Sequence, residues 1–379
     1  MDNRFYSSCY LKYLQELDMR YCERNTAYMK NGVTIGIFIL IILTSCQFKQ
    51  QEVKQQTPTI DSTLQVKATS ILENKLSELN ALFGQIIIME IQTGHIKVMV
   101  GLERKDSADY QPCENFSQAH ESALIQSISI LAALETGKVK LSDMVDVGNG
   151  IYSIQDRELK DHNWHRGGYD EISIKQGLAS SSNIAVYKTM EKAFGDDAQA
   201  YFNLLNNMNY GKPDSIIGIA NLKPAYFVTP KDSGWSDTAF AWFCIGYNQT
   251  ITPIQMLTFY NAIANSGKMV QPQLYKDSTT VINPQIASQT NIDSLKQALK
   301  YVVTDGLGQP AKSDKVQIAG ETGIIQLEDG SYIVEFCGYF PTNVPQYSII
   351  VSIHKKGLPA SGGLMAGDVF RQMVDYINE

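Results

Sequence analysis

Strand-like segments lie at both ends of this chain and helix-like segments lie between them, and that distribution restricts the fold most. Early on, "QIIIMEIQTGHIKVMVGL" (85–102) places two β-rich runs around the turn Gln92-Thr93-Gly94-His95, the pattern of a hairpin. From Val316 the chain reads strand, turn, strand, strand, and closes on the helical "AGDVFRQMVDYINE" (366–379). The middle carries helices. "ALIQSISILAALETG" (123–137) is apolar on nearly every face and stops at Gly137, as a buried helix would. "SIKQGLASSSNIAVYKTMEKAFG" (173–195) reads as two helical pieces separated by Ser180-Ser181-Ser182, and "TPIQMLTFYNAIANSGKMV" (252–270) as one helix ending at Gly267. Together with the helical spacing in "SILENKLSELNAL" (70–82), these predict a single α+β domain over 68–379. Its antiparallel sheet is built from both chain ends and flanked by helices, with a helical subdomain in the middle.

The first 67 residues read differently. Met29-Lys30-Asn31-Gly32 precedes the eleven-residue apolar run "VTIGIFILIIL" (33–43), and Leu43-Thr44-Ser45-Cys46 follows. A basic start, a short apolar core and small residues before a cleavage point describe a secretory signal over 29–45. The run falls short of the roughly 20 residues a membrane span needs. The cysteine after Leu-Thr-Ser resembles the lipobox of bacterial lipoproteins, so Cys46 is expected to be the acylated N-terminus of the mature protein. Residues 1–28 lie upstream of a complete signal and are read as a non-native extension, with Met29 as the true start. Residues 46–67 are polar and Gln-rich and read as a flexible tether, able to reach roughly 70 Å if fully extended.

Composition excludes some classes of function. A net charge of -7 argues against nucleic acid as a partner. The six cysteines contain no CxxC pair, so neither a disulfide framework nor a zinc site is read from them. His162 and His165 in "HNWHRGG" have metal-like spacing but no nearby acid-rich set, and they are read as a surface loop. Cys113, Cys244 and Cys337 are read as small buried apolar residues.

Several longer stretches resemble the transpeptidase domain of penicillin-binding proteins, the D,D-transpeptidases that cross-link peptidoglycan, and most of all the division-type (class B) members. "MEIQTGHIKVMV" is similar to that family's opening hairpin, "FCIGYNQTITPIQMLTFYNAIANSGKMVQPQL" to its helix after the active-site region, and "CGYFPTNVPQYSIIVSIHK" to its late strand pair. The likeness spans 68–379, and a counterpart of the class B pedestal domain is expected to be lacking. The resemblance implies a β-lactamase/transpeptidase-like fold, no cofactor, no metal, and three motifs in order: S-x-x-K, S-x-N and K-T-G. In such a site the serine attacks the acyl carbon, the lysine one turn later takes its proton, and the K-T-G strand meets the substrate carboxylate with a cation.

Only part of that set is present. Ser181-Ser182-Asn183 fits S-x-N, giving Ser181 and Asn183 as retained positions, although Ser-Ser-Asn is also an ordinary helix cap. The family's "EPGSTFKPFTALAALETG" pattern lies over "HESALIQSISILAALETG", which puts Ala123 at the nucleophile position and Gln126 at the base position. Alanine has no oxygen to acylate, and glutamine is no base near neutral pH. Ser122 is offset by one residue, which turns a helix face by about 100°, and would pair with Ile125. "AGETGIIQ" (319–326) lies over "AGKTGTAQ": Thr322 and Gly323 remain, Glu321 replaces the lysine, and Ile324 replaces a threonine. Two carboxylates about 4 Å apart repel by roughly 4 kcal/mol at an effective dielectric of 20, so Glu321 is expected to oppose a ligand carboxylate and to make β-lactam binding doubtful. The string Ser352-Ile353-His354-Lys355 is the chain's only S-x-x-K, but on a strand its ends point to opposite faces.

The expectation is therefore a lipid-anchored cell-envelope protein, its domain outside the cytoplasm. Its transpeptidase-type domain has lost its catalysis and serves in binding or regulation of peptidoglycan metabolism, with peptidoglycan stem peptides or cell-wall and division proteins as partners. The alternative is an active D,D-transpeptidase or carboxypeptidase using Ser181 or Ser122. A hydrolase such as the esterases related to β-lactamases would need the same missing pair.

Overall fold

The computed structural model describes residues 57–105, 109–113 and 116–379. Cys46, the signal segment 29–45, the upstream 1–28 and the tether up to residue 56 lie outside these described residues.

Six strands form one antiparallel sheet in the order β4-β5-β6-β1-β2-β3. They are β1 (Phe83–Glu90), β2 (Ile96–Glu103), β3 (Gln111–Pro112), β4 (Ala319–Gln326), β5 (Ser331–Phe340) and β6 (Tyr347–Lys356). The two chain ends meet where β1 pairs with β6, Ile87 opposite Ile350. The unbroken apolar run of β1 follows from burial on both faces. Successive side chains alternate between two cores: Ile86 and Ile88 belong to one, Ile87 and Met89 to the other.

One face is covered by α1 (Ser62–Leu79) and, at the far end of the chain, α9 (Asp368–Ile377). The apolar stripe of α9, Val369, Phe370, Met373 and Val374, is fully buried there. The other face packs against α2 (Ile125–Glu135), α7 (Pro253–Ala264) and α8 (Gln289–Thr304). In α2 every residue from Ile125 to Leu134 is buried, and in α7 every residue is. Helices α3 (Ile174–Ala179), α4 (Asn183–Phe194), α5 (Ala198–Asn207) and α6 (Ala239–Ile245) build the middle subdomain around α2.

The domain begins earlier than residue 68. Thr59 is buried and its hydroxyl donates to the carbonyls of Ile96 (2.7 Å) and Gln273 (3.0 Å). The Asp61 carboxylate caps α1 by accepting from the backbone N–H of Thr63 and Leu64. The segment 57–67, read above as tether, is therefore part of the fold: one cap and two long-range hydrogen bonds order a stretch whose composition alone suggested none. Among the described residues no helix is long and apolar enough to cross a membrane.

Candidate active site

The site assembles where α2 begins. Ala123 and Leu124 form the turn that opens the helix, and Ala123 is 4% exposed. The turn is held from behind by residues 246–251. Ser122 N–H donates to the Gly246 carbonyl, and Gln249 Nε2 to the Ser122 carbonyl. Gly246 has φ +121, and a Cβ there would lie 2.8 Å from the Ala123 Cα, so only glycine lets this backbone pass so closely. The Tyr260 hydroxyl on α7 donates to the Leu124 carbonyl at 2.8 Å, one of the carbonyls of this first turn.

Gln126, one turn on, is 2% exposed. Its Nε2 donates to Asn183 Oδ1 at 2.9 Å, which ties α2 to the N-terminus of α4. Two of the positions read from the sequence thus touch. The preceding Ser181 adopts a left-handed conformation (φ 49), uncommon for a residue with a side chain, and this turns the chain between α3 and α4. Ser182 then caps α4 by accepting from Ala185 N–H.

Asp161 holds this turn, a residue the sequence reading missed. It is 1% exposed; its Oδ2 accepts from Ser182 Oγ (2.7 Å) and its Oδ1 from Ile184 N–H (3.1 Å). Burial pushes its pKa up and these two hydrogen bonds pull it down. No local pattern around "KDHNW" distinguishes this aspartate from a surface one. The neighbouring histidines remain apart from each other's chemistry: His162 Nε2 meets Tyr169 Oη at 3.2 Å, and His165 Nε2 accepts from Arg166.

Strand β4 forms the facing wall at the sheet's edge. Gly323 lies against Leu124: a Cβ on it would come 3.3 Å from the Leu124 Cγ. Thr322 is buried and Ile324 is 41% exposed, so the edge presents an apolar side chain.

Glu321 departs from the charge expected of it. It is 1% exposed and points inward, sharing a 3.0 Å hydrogen bond with Ser127 Oγ on α2 and accepting from the Thr322 N–H at 2.9 Å. Burial raises its pKa to about 8 against 4.5 ordinarily. At neutral pH the carboxyl is therefore mostly protonated. With the carboxyl buried, turned inward and mostly uncharged, Glu321 presents neither a cation nor a full anion to a ligand at this strand, in contrast to the repulsion expected from the sequence.

A second buried acid was not foreseen. Glu335 on β5 is 1% exposed and accepts from Ser122 Oγ at 2.5 Å, while its Oε1 lies 3.7 Å from His120 Nε2. Burial, its largest influence, raises its pKa. Ser122 itself is 1% exposed, so its hydroxyl faces the sheet rather than solvent. A side-chain pair 213 residues apart leaves no local trace in sequence.

The Ser352–Lys355 string lies on β6. Lys355 Nζ donates to the carbonyls of Lys356 (3.1 Å), Gly357 (2.5 Å) and Pro359 (2.9 Å), a loop clamp away from any serine hydroxyl. Cys113, Cys244 and Cys337 are free and buried.

The chain as a whole is similar to known proteins. A profile of the penicillin-binding protein transpeptidase domain matches residues 84–375. The chain is 25% identical over 347 residues to stage V sporulation protein D of Bacillus subtilis, covering 82% of this chain and 51% of that one. It is 23% identical over 333 residues to the peptidoglycan D,D-transpeptidase FtsI of Escherichia coli, covering 82% and 53%. It thus spans about half the length of these curated relatives. The transpeptidase domain of penicillin-binding protein 3 from Burkholderia pseudomallei superposes with a TM-score of 0.71 at 19% identity, covering 85% of this chain and 95% of that one. With the profile spanning most of its length, the chain belongs to the penicillin-binding protein transpeptidase domain family.

Proposed function

We propose that this protein is a catalytically silent transpeptidase-fold protein of the bacterial cell envelope that binds peptidoglycan peptides or a division partner without forming an acyl-enzyme. Ala123 carries the reading: at the position where the family's serine is expected there is a methyl group. Three further features support it. Gln126 offers an amide already engaged with Asn183 in place of a base. Glu321 offers a buried, protonated carboxyl in place of a cation. Ile324 offers no hydroxyl at the edge of β4. The signal-like 29–45 and Cys46 support a lipid anchor at the membrane, which radiolabelled palmitate incorporation lost in Cys46→Ala would test.

A second reading has one observation in its favour. Ser122 donates to a carboxyl, Glu335, at 2.5 Å, and a serine beside a base is the arrangement a nucleophile needs. Its burial opposes this: with 1% of Ser122 exposed, no acyl group reaches the hydroxyl without opening the turn. Exposure to a penicillin followed by peptide mapping separates the readings. An unmodified chain supports the first, and an adduct on Ser122 the second.

A further inference from the structure

Beside the turn that carries Ser181 lies a cavity of about 350 Å³ that neither reading uses. It opens between α3, the last turn of α8 and the loop 305–309. Its floor is closed where the Leu307 N–H donates to the Ala179 carbonyl at 2.9 Å. Tyr169 and Tyr301 supply aromatic rings, Ile172 and Leu307 apolar surface, and Ser180, Asp305 and two glutamines polar atoms. The volume lies at the small end of small-molecule sites, its wall mixes apolar and polar groups, and Asp305 and Leu307 stand exposed at its mouth.

The charge of the lining is one-sided. It contains one carboxylate, Asp305, and no lysine, arginine or histidine. Asp305 accepts a hydrogen bond from the Thr304 hydroxyl and forms no ion pair among the described residues. Just outside the lining, Lys175 Nζ lies 4.3 Å from the centre of the Tyr301 ring, so this wall already accommodates an ammonium. An aromatic face attracts a cation through its quadrupole, and more strongly where water is partly excluded.

We propose that this cavity binds the side-chain ammonium of a peptide, with Asp305 as counter-ion and the faces of Tyr301 and Tyr169 around the cation. The aliphatic stem below the amine would lie on Ile172 and Leu307. Lys175 holds part of the same environment and competes with the ligand. The inference stands whether or not the neighbouring motif positions bind anything.

Titrating the purified protein with Nα-acetyl-lysine amide, followed by tyrosine fluorescence or by NMR, tests it. A probe of this size is expected to saturate with a Kd on the order of 1 mM. Its Nα,Nε-diacetyl counterpart, of nearly the same shape but without the charge, should not saturate. Asp305→Asn should weaken binding about tenfold. Lys175→Gln, which removes the resident cation, should tighten it severalfold. Equal binding of the two probes, no saturation by either, or weaker binding in Lys175→Gln would each overturn the assignment. The Lys175 variant keeps the test decisive should Asp305→Asn fold poorly.

Discussion

The side-chain amide of Gln126 donates to that of Asn183 across 2.9 Å, so a neutral bond joins α2 to α4 at the point where the family resemblance calls for a lysine. Both residues are held elsewhere as well: Gln126 is buried in a fully buried helix, and Asn183 Nδ2 donates to the Lys160 carbonyl at 3.0 Å. The pair forms a strut between two elements, with no titrating group in it.

That strut has a measurable strength. Gln126→Leu leaves Asn183 Oδ1 without its donor and is expected to destabilise the fold by about 1–3 kcal/mol. Combined with Asn183→Ala in a double-mutant cycle, the two changes should show a coupling of about 1 kcal/mol by urea denaturation. A coupling near zero would mean that the amides do not hold the helices together in solution.

Asp161 anchors the neighbouring turn through two charge-assisted hydrogen bonds. Asp161→Ala leaves the Ser182 hydroxyl proton and the Ile184 N–H without an acceptor in a buried site, while Ser182 Oγ still accepts from Ala185 N–H, a loss on the order of 3 kcal/mol. Asp161→Asn keeps one acceptor and should lose less. Thermal unfolding of the two variants gives the ranking, and loss of the α4 cap should appear as faster amide exchange around Ile184.

Glu321 makes stability depend on pH. Its folded pKa of about 8 lies above its ordinary 4.5, so the folded state holds a proton that the unfolded state releases. Its contribution is complete below about pH 4.5 and declines as pH rises toward 8, by about 1.4 kcal/mol per pH unit in that window. Glu335, also raised by burial, acts in the same direction. Glu321→Gln keeps the shape and the hydrogen-bonding atoms but not the titration. Urea denaturation at a series of pH values should therefore show a slope lower by one proton, with the variant more stable than wild type above pH 8. An unchanged slope would contradict a buried, protonated Glu321.

Restoring the family's residues should restore some chemistry. Ala123→Ser, Gln126→Lys, Glu321→Lys and Ile324→Thr together return a nucleophile, a base within reach of Asn183, a cation beneath β4 and a hydroxyl on its edge. Slow but detectable acylation by a penicillin is expected, and reverting position 123 alone to alanine should abolish it. A folded quadruple variant that never acylates would mean that the groove differs in shape as well as in residues.

Much of the fold was legible because its periodicities are strong. The continuous apolar run of β1 and the all-round apolar α2 follow from burial on every side, and residue types alone report that. The start of α1 was not legible, because Thr59 and Asp61 are ordered by partners at Ile96, Gln273 and the helix end rather than by an apolar stripe. The candidate motif positions were read from spacing, and spacing is silent about environment. Glu321 was visible as an acid, while its neutrality depends on the exclusion of water by the surrounding core, against the opposing pull of the hydrogen bonds from Thr322 and Ser127. Asp161 and Glu335 were missed for a related reason: each acts on residues brought near by chain reversal, 21 and 213 positions away.

The central claim, that no acyl-enzyme forms here, is tested most directly by intact-mass measurement after prolonged exposure of the folded protein to excess penicillin. The expected result is the unmodified mass, because Ala123 offers no oxygen and Ser122 is turned into the sheet with 1% exposure. A stoichiometric increase by the mass of one penicilloyl group, mapped by peptide digestion to any serine of the chain, would contradict it and identify the nucleophile.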